Sequence, residues 1–120
     1  TCVLRRPAPH VELMIGTGHA VMDYVPDILA ARDAILAAHG RIALFDDLEL
    51  LTGYDSEVRI ALTNWSKPRR DKIVAFHILL RGKMLAMGVT VANLALGGPI
   101  QAHHDRPTFE QLLAKQLARR

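Results

Sequence analysis

The chain has 120 residues, enough for one domain with a substantial core, and its 50% apolar and 22% charged residues are typical of a globular protein. The net charge is +3, but the basic residues are spread along the chain, which argues against nucleic-acid binding because such surfaces collect them in one patch. The single cysteine, Cys2, excludes an internal disulfide and favours a reducing, cytoplasmic location, and no apolar run reaches the roughly 20 residues of a membrane span.

The chain is predicted to open with a β-hairpin. Residues 2–5 and 10–15 are apolar stretches of strand length, and the two prolines in residues 6–9 indicate a turn because proline cannot continue a strand ladder. Residues 16–19 (Gly-Thr-Gly-His) are expected to end the second strand. They do not form a dinucleotide-binding fingerprint, because the third glycine of that pattern would fall at Val21.

From residue 26 onward, predicted helices alternate with predicted strands. A hairpin followed by this alternation predicts one α/β domain over residues 1–120, with a mixed, mostly parallel sheet and four helices. The continuous apolar strand 72–80 is expected to be central and covered on both faces. The predicted elements are helix 26–39, strand 41–45, a helix from about 55 to before Pro68, strand 72–80, a helix around 84–95, strand 100–103 and a helix from about 107.

The six histidines do not form a recognisable metal-binding pattern. The chain contains no H-x-x-x-H spacing, and the adjacent His103 and His104 would point to opposite faces of a strand. His77 lies within an apolar strand, where a histidine is more often a core residue than a ligand. We therefore predict neither a metal nor a cofactor.

Asp46, Asp47 and Glu49 follow a predicted parallel strand, and sites in open α/β sheets lie at the carboxyl ends of strands. Carboxylates at that position could hold Mg²⁺ in a metal-dependent enzyme. No P-loop, nucleophile elbow or pair of base and orienting residue accompanies them, so solvated loop carboxylates are the favoured interpretation. We predict no catalytic residue and no enzymatic activity.

Asp55 and Ser56 directly precede an amphipathic run, and two interpretations of this pair are open. Asp or Ser at a helix start typically acts as an N-cap, which contributes about 1 kcal/mol. A helix start also presents unpaired N–H groups to an anion, so a phosphate on Ser56 would be held there and would change the charge of that surface.

The segment "FDDLELLTGYDSEVRIAL" (residues 45–62) and the ending "IQAHHDRPTFEQLLAKQL" resemble the STAS domains, named for sulfate transporters and anti-sigma factor antagonists. The order of predicted elements resembles theirs over residues 2–118. The resemblance implies that Ser56, preceded by Asp55, is the serine that accepts phosphate in the bacterial antagonists. Where those proteins continue with Ser-Gly and a small residue, this chain has Glu57-Val58-Arg59, which places a negative charge beside any phosphate.

The resemblance further implies a non-enzymatic regulatory module that binds a protein partner, such as an anti-sigma kinase. The residues expected to contact the partner are Thr52, Tyr54, Asp55, Ser56, Glu57 and Arg59. An open edge at the N-terminal hairpin would permit a homodimer. The alternative is a small-ligand or lipid-binding domain of the same fold type, indicated by Met84 and Met87 in a helix beside the strand that contains His77.

Overall fold

The computed structural model describes residues 1–119 and confirms the predicted order of elements. Two short 3-10 segments, Met22–Tyr24 and Lys67–Lys72, lie before the first α-helix and after the second. The strands and helices are β1 (Cys2–Ala8), β2 (Val11–Ala20), α1 (Val25–His39), β3 (Ile42–Tyr54), α2 (Ser56–Ser66), β4 (Ile73–Leu80), α3 (Lys83–Leu96), β5 (Gln101–His103) and α4 (Arg106–Ala118).

The five strands form one sheet in the order β1-β2-β3-β4-β5. β1 and β2 form the antiparallel hairpin, and each later pair is parallel. Every parallel connection steps in the same direction across the sheet, so right-handed crossovers place α1, α2 and α3 on one face. The last helix, α4, covers the opposite face. The predicted mixed, mostly parallel α/β fold with an N-terminal hairpin is therefore confirmed.

β3 supplies alternate side chains to two apolar cores, one on each face of the sheet. On the face covered by three helices, Leu44 belongs to the same cluster as Ile35 and Trp65. On the other face, Phe45 contacts Phe109 of α4 with ring centroids 5.8 Å apart. The period of two along a strand thus divides one apolar run between two separate cores.

The prediction that residues 72–80 form the central strand is wrong, because β3 occupies the centre of the sheet. Residues 42–45 of β3 are fully buried. β4 pairs with β5 only through residues 77–79, which leaves its first half at an open edge where Val74 is 49% exposed. A continuous apolar run indicates burial on both faces, but it does not fix the position of a strand in the sheet.

β2 and β3 are both longer than predicted, and they pair with each other as far as Ala20 and Tyr54. The glycines that suggested a turn after residue 15 instead lie within β2, where Gly18 has a φ of 72° and the register shifts. Asp46, Asp47 and Glu49 consequently lie in a strand, and their interpretation as solvated loop residues is wrong. Backbone pairing between neighbouring strands has overridden weak strand propensity here.

Among the helices described in residues 1–119, none combines the length and the apolar character that crossing a bilayer demands.

Candidate functional site

The carboxyl ends of β2 and β3 meet at one corner of the sheet, and α2 begins there. Ala20 pairs with Tyr54 at the ends of the two strands, and the amide of Asp55 donates to Ala20 O at 3.0 Å. Ser56 is the first residue of α2 and is exposed, as the sequence predicted. A single residue, Asp55, therefore separates the end of β3 from the start of α2.

The side chain of Asp55 does not cap α2, contrary to the N-cap interpretation. Asp55 occupies the cap position, but its carboxylate makes no cap hydrogen bond and instead contacts His19 Nε2 at 2.8 Å. The hydroxyl of Ser56 has no hydrogen bond to another residue in the described part of the chain. Ser56 thus presents a free hydroxyl at the positive end of a helix dipole.

His19 is part of this corner, although no local pattern in the sequence indicated it. Parallel pairing aligns it with Gly53, where an added Cβ would lie 3.0 Å from His19 Nδ1. A larger residue at position 53 would therefore crowd the imidazole that holds Asp55. The Gly-Thr-Gly-His segment suggested only a turn, and its parallel pairing with β3 could not be seen locally.

The six predicted contact residues divide into two groups. Thr52, Asp55, Ser56 and Glu57 are exposed. Tyr54 and Arg59 are partly buried and line a cavity beneath the corner. A Cβ added at Gly88 of α3 would overlap Tyr54 Oη, so the missing side chain at position 88 is what lets α3 approach this tyrosine. The corner is thus in contact with α3 through Tyr54.

The cavity has a volume of about 140 Å³ and lies between the sheet and the helices α1, α2 and α3. Most of its wall is apolar, including Ile28 of α1, Leu51 of β3 and Leu85 of α3. Arg32 and Asp46 also belong to the wall. An apolar cavity with a small number of polar groups is the usual form of a small-molecule site.

Comparisons with known proteins find solved structures that share this architecture. No family model matches the chain, and no curated protein matches it. Among solved structures, SpoIIAA, an anti-sigma factor antagonist, in its unphosphorylated form aligns with a TM-score of 0.70 at 10% identity, covering 94% of this chain and 98% of that chain. The chain has the SpoIIAA-like, STAS-like fold.

Two further solved structures share this SpoIIAA-like fold. One is a DUF3478 protein from Shewanella loihica PV-4, with a TM-score of 0.69, 14% identity and coverage of 94% of this chain and 92% of that chain. The other is an anti-sigma factor antagonist from Mycobacterium paratuberculosis, with a TM-score of 0.62, 17% identity and coverage of 95% and 93%. Likeness at such identities establishes the fold alone.

A buried ion cluster lies beside the cavity of this SpoIIAA-like domain. Arg32 is 0% exposed, and its Nε donates to Glu12 Oε1 at 2.9 Å while its Nη2 donates to Asp46 Oδ1 at 3.4 Å. Burial raises the pKa of Asp46 to about 7, with Arg32 opposing the rise and Glu12 adding to it. Burial and these two carboxylates also raise the pKa of the Cys2 thiol, which makes Cys2 a poor nucleophile at neutral pH.

The acidic residues of β3 do not converge on a single site. Asp46 faces the three-helix side, whereas Asp47 and Glu49 accept from Arg106 Nη2 of α4 at 3.0 and 3.1 Å. Within residues 1–119, no three potential metal-ligating His, Cys, Asp or Glu side chains come together. The carboxylates thus form ion pairs with arginines on opposite faces of the SpoIIAA-like sheet.

The structure contradicts the prediction that Met84, Met87 and His77 lie beside a ligand pocket, because none of the three lines the cavity. Met84 and Met87 point outward, at 77% and 68% exposed. His77 lies on the opposite face, where its Nδ1 is 2.9 Å from His103 Nε2. Burial lowers the pKa of both imidazoles, and each is lowered further by a neighbouring histidine. The cavity beneath α3 is built from other residues.

Proposed function

We propose that the protein is a non-enzymatic, cytoplasmic regulatory module that binds a protein partner at the start of α2, and that phosphorylation of Ser56 switches this binding. We call this surface the α2 corner and define it as Thr52, Tyr54, Asp55, Ser56, Glu57 and Arg59. The observation that carries the proposal is the exposed Ser56 hydroxyl at the first residue of α2. The fold is that of SpoIIAA, which exists in unphosphorylated and phosphorylated forms.

A phosphate on Ser56 would act mainly by changing the charge of the corner. It would add nearly two negative charges between Asp55 and Glu57, where like charges repel. Arg59 lies three residues further along the helix, within reach of a side chain at position 56, and makes no ion pair within residues 1–119. Asp55 is already engaged by His19, so the phosphate and Asp55 would compete for the same imidazole.

The proposal is tested by the affinity of the partner that co-purifies with the tagged protein from its own cells. Ser56→Asp is expected to change that affinity at least about tenfold, since it mimics the added charge. Ser56→Ala is expected to leave both affinity and stability close to wild type, because the Ser56 hydroxyl makes no hydrogen bond to another described residue.

The matched control is Lys115→Glu, which changes the charge of an exposed residue on α4, on the opposite face of the sheet. Partner affinity should be insensitive to this control. A second corner variant, Glu57→Arg, reverses the charge of an exposed residue beside Ser56. If Ser56→Asp and Glu57→Arg both bind the partner as tightly as Lys115→Glu does, the α2 corner is not the binding surface.

A second candidate function is the binding of a small apolar ligand or lipid, and the cavity of about 140 Å³ favours it. This function would use α1, α2, α3 and the sheet, and it needs no phosphorylation. It could coexist with the first, since Tyr54 and Arg59 belong to both the corner and the cavity wall.

We also propose that a homodimer, if one forms, uses β1. β1 is an edge of the sheet and pairs on one side only, with β2. Exposed edge strands offer unpaired backbone groups to a second copy, although the charged and proline residues of β1 weaken this tendency.

A further inference from the structure

The first half of β4 is an open edge of the sheet that the fold itself keeps free. β5 pairs with β4 only through residues 77–79, and no other backbone group within residues 1–119 bonds to residues 74–76 on that side. Asn93 of α3 holds the segment before β5 away from this edge, since its side chain accepts from Ile100 N at 2.8 Å and donates to Ile100 O at 3.1 Å. Backbone groups of β4 are therefore left without a strand partner.

This open edge lacks the features that usually protect exposed strands. Such strands normally carry charged residues or proline, which discourage pairing with another chain. β1, at the opposite edge of the sheet, contains two arginines and a proline. Residues 73–76 of β4 read Ile-Val-Ala-Phe, with neither a charge nor a proline, and Val74 is 49% exposed. The open half of β4 is thus suited to pairing with a further strand.

A groove of about 360 Å³ runs along this edge, between β4, the start of β5 and the second half of α4. We call it the β4 groove and define it by residues 73–77, Pro99, Leu112, Lys115 and Arg119. Successive side chains of a strand point to opposite faces, so a groove lined by consecutive residues of β4 follows the backbone edge of the strand. An added strand of about five residues would match its length.

The fully charged side chains of the β4 groove are both basic. Lys115 is exposed and forms no ion pair within residues 1–119, and the side chain of Arg119 donates only to Gln116 Oε1, at 3.3 Å. No Asp or Glu of the described chain lines the groove. A second copy is a poor occupant, because antiparallel pairing of two β4 edges in one sheet would bring the basic residues of both copies together. A segment with acidic side chains complements this charge.

We propose that the β4 groove binds an extended, acidic peptide segment of a partner protein, which adds a strand to β4 while its carboxylates pair with Lys115 and Arg119. The backbone of the segment supplies the partners that residues 74–76 lack, as in strand addition to other sheet edges. The groove lies at the start of β4, whereas the α2 corner lies at the ends of β2 and β3, at the opposite end of the sheet. This inference therefore goes beyond the Ser56 switch and does not depend on it.

The probe is a capped, fluorescein-labelled hexapeptide of alternating valine and glutamate, and fluorescence anisotropy measures its affinity. One matched peptide has lysine in place of glutamate, and another is N-methylated at each backbone amide, which keeps its charge but removes its strand donors. At low ionic strength, we expect the acidic peptide to bind at least about tenfold more tightly than either matched peptide.

Hydrogen exchange gives a second readout that charge attraction alone would not move. The bound acidic peptide should slow exchange at the edge-facing amides of residues 74–76 at least about tenfold, because these amides become hydrogen-bonded.

Three variants assign the binding to the groove. Lys115→Glu should weaken the acidic peptide at least about fivefold and strengthen the lysine peptide. Lys83→Glu makes the same change at an exposed residue of α3 outside the groove and should bind as the wild type does. Ser56→Asp, at the α2 corner, should also bind the peptide as the wild type does. A failure of the Ser56 switch and a failure of the groove are thus distinguishable.

Absence of binding between the acidic peptide and the wild type at millimolar concentration would overturn the inference. Equal affinity for the N-methylated peptide would also overturn it, since the groove would then recognise charge and not an extended backbone. Slow exchange at residues 74–76 in the free protein that becomes faster on dilution would assign the edge to a second copy and contradict the peptide proposal.

Discussion

Replacing Arg32 by methionine is expected to destabilise the protein by about 3–5 kcal/mol, because it leaves Glu12 and Asp46 buried without a cation. The methionine side chain has a similar length and would fill most of the space, so the expected loss arises mainly from charge. Urea unfolding at pH 7, followed by circular dichroism, measures the free energy of unfolding directly.

Two controls separate the charge effect from a packing effect. The neutral triple variant with Glu12→Gln and Asp46→Asn should recover most of the loss, because no unpaired charge remains in the core. Arg81→Met removes an exposed arginine whose Nε lies 3.6 Å from Glu49 Oε2 and should cost under about 1 kcal/mol. If the triple variant is as unstable as Arg32→Met, the cost lies in packing and not in unpaired carboxylates.

Asp46→Asn is expected to flatten the pH dependence of stability between about pH 4 and pH 7. The pKa of Asp46 rises from 3.8 to about 7 on folding, so over this range the folded protein binds a proton that the unfolded chain has released. The contribution of Asp46 to the free energy of unfolding is therefore fully present below about pH 4 and is lost as the pH rises to about 7. The full loss would be about 4 kcal/mol, and an asparagine, which does not titrate, would avoid it.

The difference between wild type and Asp46→Asn is the quantity to measure, by urea unfolding at a series of pH values. His10, His77 and His103 have pKa values lowered by burial, so their contribution has the opposite sign and is lost as the pH falls. These histidines are present in both proteins and cancel in the difference. The two stability curves should approach each other near pH 4 and separate progressively up to about pH 7 in favour of Asp46→Asn. Parallel curves would show that Asp46 is ionised throughout.

Local signals in the sequence were sufficient to predict the order of the strands and helices. Pro26 near its start and Gly40 after its end delimit α1, and Gly40 has the positive φ of 70° that a helix stop of this kind requires. The sequence did not predict the extended ends of β2 and β3. They depend on pairing between strands that are separated by a whole helix, and no local window contains that pairing.

The buried cluster was overlooked because charged residues are normally placed on the surface. The spacing of α1 nevertheless contained a signal, since Arg32 lies four residues after Ile28 and three before Ile35, on the buried stripe. Glu12 and Asp46 likewise occupy inward positions of their strands. The start of α2 at Ser56 was predictable, whereas the contact of Asp55 with His19 depends on the same distant pairing of β2 with β3.

Mapping of phosphate after incubation with the cognate kinase and ATP tests most directly whether Ser56 is a switch. The chain has only two serines, and the buried Ser66, which donates to Leu62 O at 2.8 Å within α2, serves as an internal control. We predict that mass spectrometry finds phosphate on Ser56 and none on Ser66, and that Ser56→Ala abolishes the modification without unfolding the protein. A kinase that binds the protein and leaves Ser56 unmodified would contradict the proposed switch.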